Sequence, residues 1–279
     1  MTPLGERIAG LIQAAGPISI ADYMSMCLFD TEAGYYMTRE PFGVHGDFTT
    51  APEISQMFGE LVAVWLAQAW QVADRPASLA IVEIGPGRGT LMKDIVRTIQ
   101  RIAPDLASAA EFVLVETSPR LADIQATTLK DSGPAFTWLK ELGELSRKPA
   151  FFVGNEIFDA IPFRQFVRIS GRWLERVVAL DADNRFRFAL GTASLAHDAL
   201  PAESWHAAEG SVLEIAPARE ALMALVASRI KRDGGAAIFF DYGHLQPGFG
   251  DTFQALRNHR YEDVFDNPGK ADLTSHVDF

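Results

Sequence analysis

Eight consecutive residues, Glu83-Ile84-Gly85-Pro86-Gly87-Arg88-Gly89-Thr90, carry the strongest chemical signal in the chain. Glycines at alternate positions let a backbone turn sharply and come within contact distance of a ligand, and the helical stretch that follows offers unpaired N–H groups at its start. Spacing narrows the ligand. A dinucleotide fingerprint puts its third glycine one place later, where Thr90 stands, and a P-loop needs Gly-Lys-Ser/Thr after its glycines. A nicotinamide dehydrogenase therefore ranks far behind. Two further acidic positions close apolar runs: Glu116 follows Leu114-Val115, and Asn155-Glu156-Ile157-Phe158-Asp159-Ala160-Ile161-Pro162 follows Ala150 to Gly154.

The elements that must position these residues are legible from the pattern. From Leu79 onward, short apolar runs that end in polar or glycine-rich turns alternate with helical stretches, giving β-α-β-α. AIVEI and FVLVE are apolar on both faces, as strands of a parallel sheet covered by helices must be. Phe136 to Leu139, Ala150 to Gly154 and Ala236 to Asp241 continue the series as third, fourth and fifth strands. Gln165 to Leu190 is β-rich, with turn signals at Ser170-Gly171 and Asp183-Asn184, and reads as an inserted small antiparallel sheet. The first seventy-odd residues read as helices: Leu4, Ile8, Leu11 and Ile12 recur at helical spacing, Ser19 and Asp22 resemble a capping box, and a helix runs from Ile54 to Trp70. Gly34 to Pro52 lacks a period and reads as a long functional loop. The expected organisation is 1–76, N-terminal helices and lid loop; 77–162 with 213–279, the Rossmann-like core; and 163–212, the β-rich insertion.

Gly-x-Gly-x-Gly preceded by an acid at a strand end resembles the first motif of class I S-adenosylmethionine (SAM) methyltransferases. That resemblance implies the cofactor SAM, bound by Gly85, Pro86, Gly87, Gly89 and Thr90, with Glu83 near its charged amino-acid portion. A carboxylate at the end of the second strand suits the two ribose hydroxyls, and Glu116 matches in type and place. Ligands of such sheets lie beyond the carboxyl ends of the strands, so Asn155 and Glu156 should face the reacting centre, Asn155 on the cofactor side. Enzymes that methylate DNA or glutamine amino groups show Asn/Asp-Pro-Pro-Tyr/Phe here, whereas this chain has carboxylates. A guanidinium is a poor nucleophile because it is protonated and delocalised. Carboxylates can grip its fork, orient one nitrogen and stabilise charge, which makes Glu156 and Asp159 the catalytic candidates. Helix N-terminal capping is the equal alternative for Asp159. Asp47, Phe48 and Glu53 are candidates for a lid over the cofactor, and His244 for the lining of the site. Glu53 also lies just inside a helix start, where the dipole favours a carboxylate.

Taken together, GPISIADYM, GYYM, GDFTTAPEISQMFGEL, EIGPGRGTLMKDI, NEIFDAIPFRQF, FFDYGH and PGKADLTSHVDF resemble the MidA-like methyltransferase family, which includes a mitochondrial arginine methyltransferase needed for respiratory complex I assembly. The resemblance spans nearly the whole chain. It implies an α/β, Rossmann-like class I SAM-dependent methyltransferase fold with an N-terminal helical segment and an inserted antiparallel sheet. It further implies a protein substrate with an accessible arginine, a complex I core subunit being the candidate. A small-molecule methyltransferase and a non-catalytic SAM-binding assembly factor are the alternatives. The family continues beyond HVDF with a further helix and an antiparallel strand pair, so the chain is expected to be a fragment or shortened variant, with AAIFF as a hydrophobic sheet edge.

Composition excludes other classes. The 279 residues carry a formal charge of −11, against the cationic surplus that nucleic-acid grooves bring, and no nucleic-acid partner is expected. A basic partner is the easier fit. The chain is 48% apolar and 22% charged, typical of a globular protein with a real core. Scattered histidines with no cysteine partner argue against zinc, and there is no Gly-x-Ser-x-Gly hydrolase elbow. Apolar stretches such as Leu61 to Trp70 fall short of the roughly 20 residues of a membrane span. The single Cys27, with an N-terminus lacking a signal or transit pattern, leads to an expectation of a cytoplasmic protein.

Overall fold

The computed structural model describes residues 1–39, 50–196, 200–201, 204, 206–246 and 248–279. In chain order it begins with α1 (Pro3–Ala15), β1 (Ile18–Ser19), α2 (Ile20–Phe29), α3 (Tyr35–Thr38), α4 (Ala51–Ile54) and α5 (Gln56–Val72). Next come β2 (Leu79–Ile84), α6 (Thr90–Ile102), α7 (Pro104–Ala109), β3 (Ala110–Val115), α8 (Pro119–Leu129), β4 (Phe136–Leu139) and β5 (Ala150–Asn155). After these lie β6 (Arg164–Ile169), β7 (Arg172–Leu180), β8 (Phe186–Ser194), β9 (Val212–Ile215), α9 (Pro217–Asp233) and β10 (Gly235–Phe240). Five short strands close the chain: β11 (Gly243–His244), β12 (Gln254–Arg257), β13 (Arg260–Glu262), β14 (Asp272–Thr274) and β15 (Val277–Asp278).

The chain folds as two compact units. One comprises residues 42–157 and 221–241 and holds a sheet in the order β10-β5-β2-β3-β4, every pair parallel. Strand parity splits its core. Ile81, Phe112, Leu114, Phe151 and Val153 face one layer with Leu66 of α5 and Ile95 of α6, whereas Ala80, Val82, Val113 and Phe152 face the other with Val226 of α9. Helix α6 buries Leu91, Met92, Ile95, Val96 and Ile99, a single stripe at helical spacing. Helices α5 and α6 cross closely at Gly59, where a Cβ would stand 2.6 Å from the Asp94 Cβ. The helix expected from Ile54 to Trp70 is broken at Ser55, whose extended backbone (φ −152°) ends α4 and whose side chain accepts from Met57 N–H to cap α5. Strand β10 is an outer strand, paired to β5 and half-buried along its length.

The other unit comprises residues 1–41, 158–220 and 242–279. Its antiparallel sheet runs β1-β7-β6-β9, with β8 also paired to β7. The turns lie where the sequence signals them, with Ser170, Gly171 and Asn184 all at positive φ. Ser19 caps α2 as expected, accepting from Asp22 N–H at 3.0 Å and donating to its carboxylate at 2.6 Å. Ile18 and Ser19 pair with Val178 and Val177, so the inserted sheet recruits an N-terminal strand too short to leave a periodic signal. Likewise, Tyr23 Oη donates to the Val264 carbonyl at 2.9 Å. The units therefore divide the chain elsewhere than the blocks 1–76, 77–162 with 213–279, and 163–212: residues 242–279 associate with the antiparallel sheet.

Candidate active site

The strand-turn-helix of β2 and α6 forms as expected. Gly85, Gly87 and Gly89 have φ of +62°, +55° and +82°, left-handed conformations that disfavour any side chain. The turn closes through Gly89 N–H donating to the Pro86 carbonyl at 2.8 Å. A Cβ on Gly85 would stand 2.9 Å from Ile157 Cγ2, so the segment after β5 abuts the glycine turn. Gly89 is the N-cap of α6 and brings no capping side chain to its first amides.

Glu83 points to the α6 side of the sheet, as strand parity requires, and is 2% exposed. The Met92 backbone N–H bonds to it, while its Oε2 has no partner among the described residues. Burial pushes its carboxyl up to about 8, with the Met92 bond opposing. Glu116 lies just past β3. Its Oε1 accepts from Ser118 N–H at 2.7 Å and its Oε2 from Gln125 Nε2 at 3.0 Å. Burial raises its pKa, while bonds from Ser118, Gln125 and Thr117 and the Arg120 charge oppose the rise.

Glu53, in the first turn of α4, meets the glycine turn: Thr90 Oγ1 donates to its Oε1 at 2.5 Å, and Arg88 Nη1 stands 3.8 Å from its Oε2. The Thr90 hydroxyl is thereby engaged with the element expected to act as a lid. Asn155 ends β5, and Glu156 follows with φ +52°, its N–H donating to the Phe240 carbonyl at 2.8 Å. A non-glycine residue in this conformation at a strand end is a local strain of the kind that clusters at functional sites.

The division between the compact units falls between Ile157 and Phe158, so Asp159 belongs to the antiparallel unit. No helix begins there, which removes the capping alternative; the segment is a turn, with Ile161 N–H donating to the Phe158 carbonyl at 3.0 Å. The Asp159 carbonyl accepts from Ser275 N–H at 3.1 Å and Arg219 Nη2 at 3.3 Å. In the same unit, the half-buried Tyr36 donates to Asp272 Oδ1 at 2.8 Å, and its pKa is raised by burial of the hydroxyl first and then by Asp272 and Asp159. Sequence reasoning passed over Tyr36 and Asp272, although both lie in strings that carry the resemblance. His244 sits in β11, its Nδ1 2.9 Å from the Gln246 carbonyl and 3.5 Å from Asp278 Oδ1. Asp47 and Phe48 lie outside the described residues. Among the described residues, no group of three or more His, Cys, Asp or Glu could hold a metal ion, and no helix is long and apolar enough to cross a membrane.

The parallel-sheet unit fits a ligand carrying both a carboxylate and an ammonium, as SAM does, on three features: the three left-handed glycines, the uncapped start of α6 and the buried oxygen of Glu83 that has no partner among the described residues. Comparison with known proteins agrees. Residues 61–279 match the family described as "Putative S-adenosyl-L-methionine-dependent methyltransferase". The chain is 35% identical to "Protein arginine methyltransferase NDUFAF7, mitochondrial" of Xenopus tropicalis, covering 96% of this chain and 67% of that protein. It is 36% identical to the Drosophila melanogaster homologue, covering 99% of this chain and 68% of that one. A Burkholderia thailandensis crystal structure bound to S-adenosyl-homocysteine superposes with a TM-score of 0.85 at 28% identity, covering 99% of this chain and 73% of that one. The chain thus spans about two thirds of the length of the two curated relatives. Both relatives are named as mitochondrial proteins, which overturns the cytoplasmic expectation. A lone buried cysteine suits any reducing compartment and does not single out the cytoplasm.

Proposed function

This chain belongs to the S-adenosyl-L-methionine-dependent methyltransferase family, an enzyme family with SAM as its cofactor, and we propose that it methylates an arginine side chain of a protein. The observation that carries this reading is Glu156, a carboxylate in a left-handed backbone conformation at the carboxyl end of β5, beside the strand that leads into the glycine turn. The names of the relatives support arginine as the acceptor. Among proteins, the resemblance carried by the motifs favours a subunit of respiratory complex I.

SAM, when bound, supplies a sulfonium-linked methyl group open to in-line attack. The glycine turn would let the backbone approach the ligand, and the α6 amides would receive its carboxylate. Glu83 would take the ammonium with the oxygen that has no partner among the described residues. Glu116 would accept from the ribose hydroxyls. Glu156 would hold the guanidinium fork and orient one nitrogen, stabilising the positive charge while the methyl group leaves sulfur for nitrogen, with the thioether as leaving group and the displaced N–H proton passing to solvent.

The test is transfer of labelled methyl from SAM to purified complex I subunits, with acid hydrolysis to identify methylarginine. Glu156→Gln should lower kcat at least about a hundredfold with the SAM affinity within about threefold of the parent. Gly87→Val, which forces a β-branched residue to φ +55°, should abolish cofactor binding. Methyl transfer that survives Gly87→Val undiminished overturns the cofactor site, and label recovered only in small molecules overturns the protein substrate.

A further inference from the structure

Gln125 lies on α8, is fully buried, and is a residue that no motif marks. Its side chain makes three hydrogen bonds, using both amide hydrogens and the carbonyl oxygen. The amide nitrogen donates to the Gly87 carbonyl at 2.9 Å and to Glu116 Oε2 at 3.0 Å, and the amide oxygen accepts from Trp138 Nε1 at 2.9 Å. Only one orientation of the amide satisfies this set. An indole N–H can only donate, so it demands the oxygen; a main-chain carbonyl and a carboxylate can only accept, so both demand the nitrogen. Flipping the amide would set oxygen against oxygen at two places and leave the indole unpaired, each a costly fault in a buried setting.

The amide also spans two elements. Gly87 is the middle of the turn between β2 and α6, and Glu116 lies at the end of β3. The turn packs on the same helix: a Cβ on Gly89 would meet Gln125 Cα at 3.4 Å and Cγ at 3.5 Å. The Ser118 N–H holds the other carboxylate oxygen at 2.7 Å, so the two contacts together fix the Glu116 carboxylate plane.

We propose that Gln125, its amide oriented by Trp138, is a positioning residue for the cofactor, holding the Glu116 carboxylate and the Gly87 peptide in a single arrangement before the ligand arrives. The proposal rests on Glu116 being the ribose-binding carboxylate. A preorganised acceptor avoids ordering a mobile carboxylate on binding, so the effect belongs in cofactor affinity rather than in the chemical step.

The experiment measures S-adenosylhomocysteine affinity by calorimetry, with steady-state kinetics alongside, for Gln125→Met, Trp138→Phe, Glu116→Gln and the Gln125→Met/Glu116→Gln double variant of the full chain. Gln125→Met keeps the side-chain volume and removes all three bonds. It should raise Kd by about tenfold or more, with kcat at saturating SAM within about twofold. Trp138→Phe removes the orienting N–H together with part of the ring, leaves the Gln125 amide in place, and should weaken binding in the same direction by a smaller factor. In the Glu116→Gln background, Gln125→Met should lose most of its effect, because the two act as one unit. If Gln125→Met fails to fold, Trp138→Phe and its combination with Glu116→Gln carry the same comparison. Equal penalties in both backgrounds, or unchanged affinity in Gln125→Met and Trp138→Phe, overturn the proposal. Glu116→Gln binding as tightly as the parent would instead overturn the ribose assignment.

Discussion

At the scale of single residues, the protonation of Glu83 has a measurable consequence. Its carboxyl is raised from 4.5 to about 8 in the folded chain, because burial disfavours the charged form more than the Met92 amide favours it. The folded state therefore holds a proton that the unfolded state releases. By linkage, the Glu83 contribution is fully present below pH 4.5 and declines as pH rises toward about 8. Thermal melts of ligand-free protein between these limits should show a falling component that Glu83→Gln removes, since the amide cannot ionise; an unchanged slope in the variant would count against a buried, protonated Glu83. The acid itself was legible, because a charged type inside an apolar strand before a glycine turn is conspicuous. Gln125 was not, since its role exists only where α8 brings it between Gly87 and Glu116. Glu156 was legible by position, but its left-handed backbone was not, because nothing in the residue type calls for φ +52°.

At the scale of elements, the β-α-β series could be read because β2 is buried on both faces and α6 has one buried stripe. Short pieces escaped: β1 and β11 to β15 span two to four residues each, too few for a period to register. The capping alternative for Asp159 fails because no helix begins there; the chain after β5 forms a turn. Where helices do pack, a small residue sets the distance. Gly59 on α5 faces Asp94 on α6, with a Cβ position only 2.6 Å from the Asp94 Cβ, and the obstacle is the first carbon of a side chain rather than a flexible end. Gly59→Leu should therefore force the two helices apart and destabilise the chain by about 1–3 kcal/mol in urea unfolding. Gly10, with nothing within 4 Å of its Cβ position, is the control: Gly10→Ala should be neutral or stabilising, as expected for an exposed helix position.

At the scale of the whole molecule, the formal charge of −11 first served to disfavour nucleic acid, and it now bears on how a substrate is captured. A protein presenting an exposed arginine in a basic setting would be drawn to an anionic surface over distances comparable to the Debye length, about 10 Å at 0.1 M salt. S-adenosylhomocysteine, whose net charge is close to zero, gains little from such a field. Raising ionic strength should therefore separate the two ligands. Between about 0.05 M and about 0.3 M salt, KM for the protein substrate should climb severalfold while S-adenosylhomocysteine Kd stays nearly constant, the substrate effect appearing mainly in the association rate. A KM that is flat across this range would mean that the acceptor is recognised through short-range contacts alone. The negative charge would then serve solubility rather than capture.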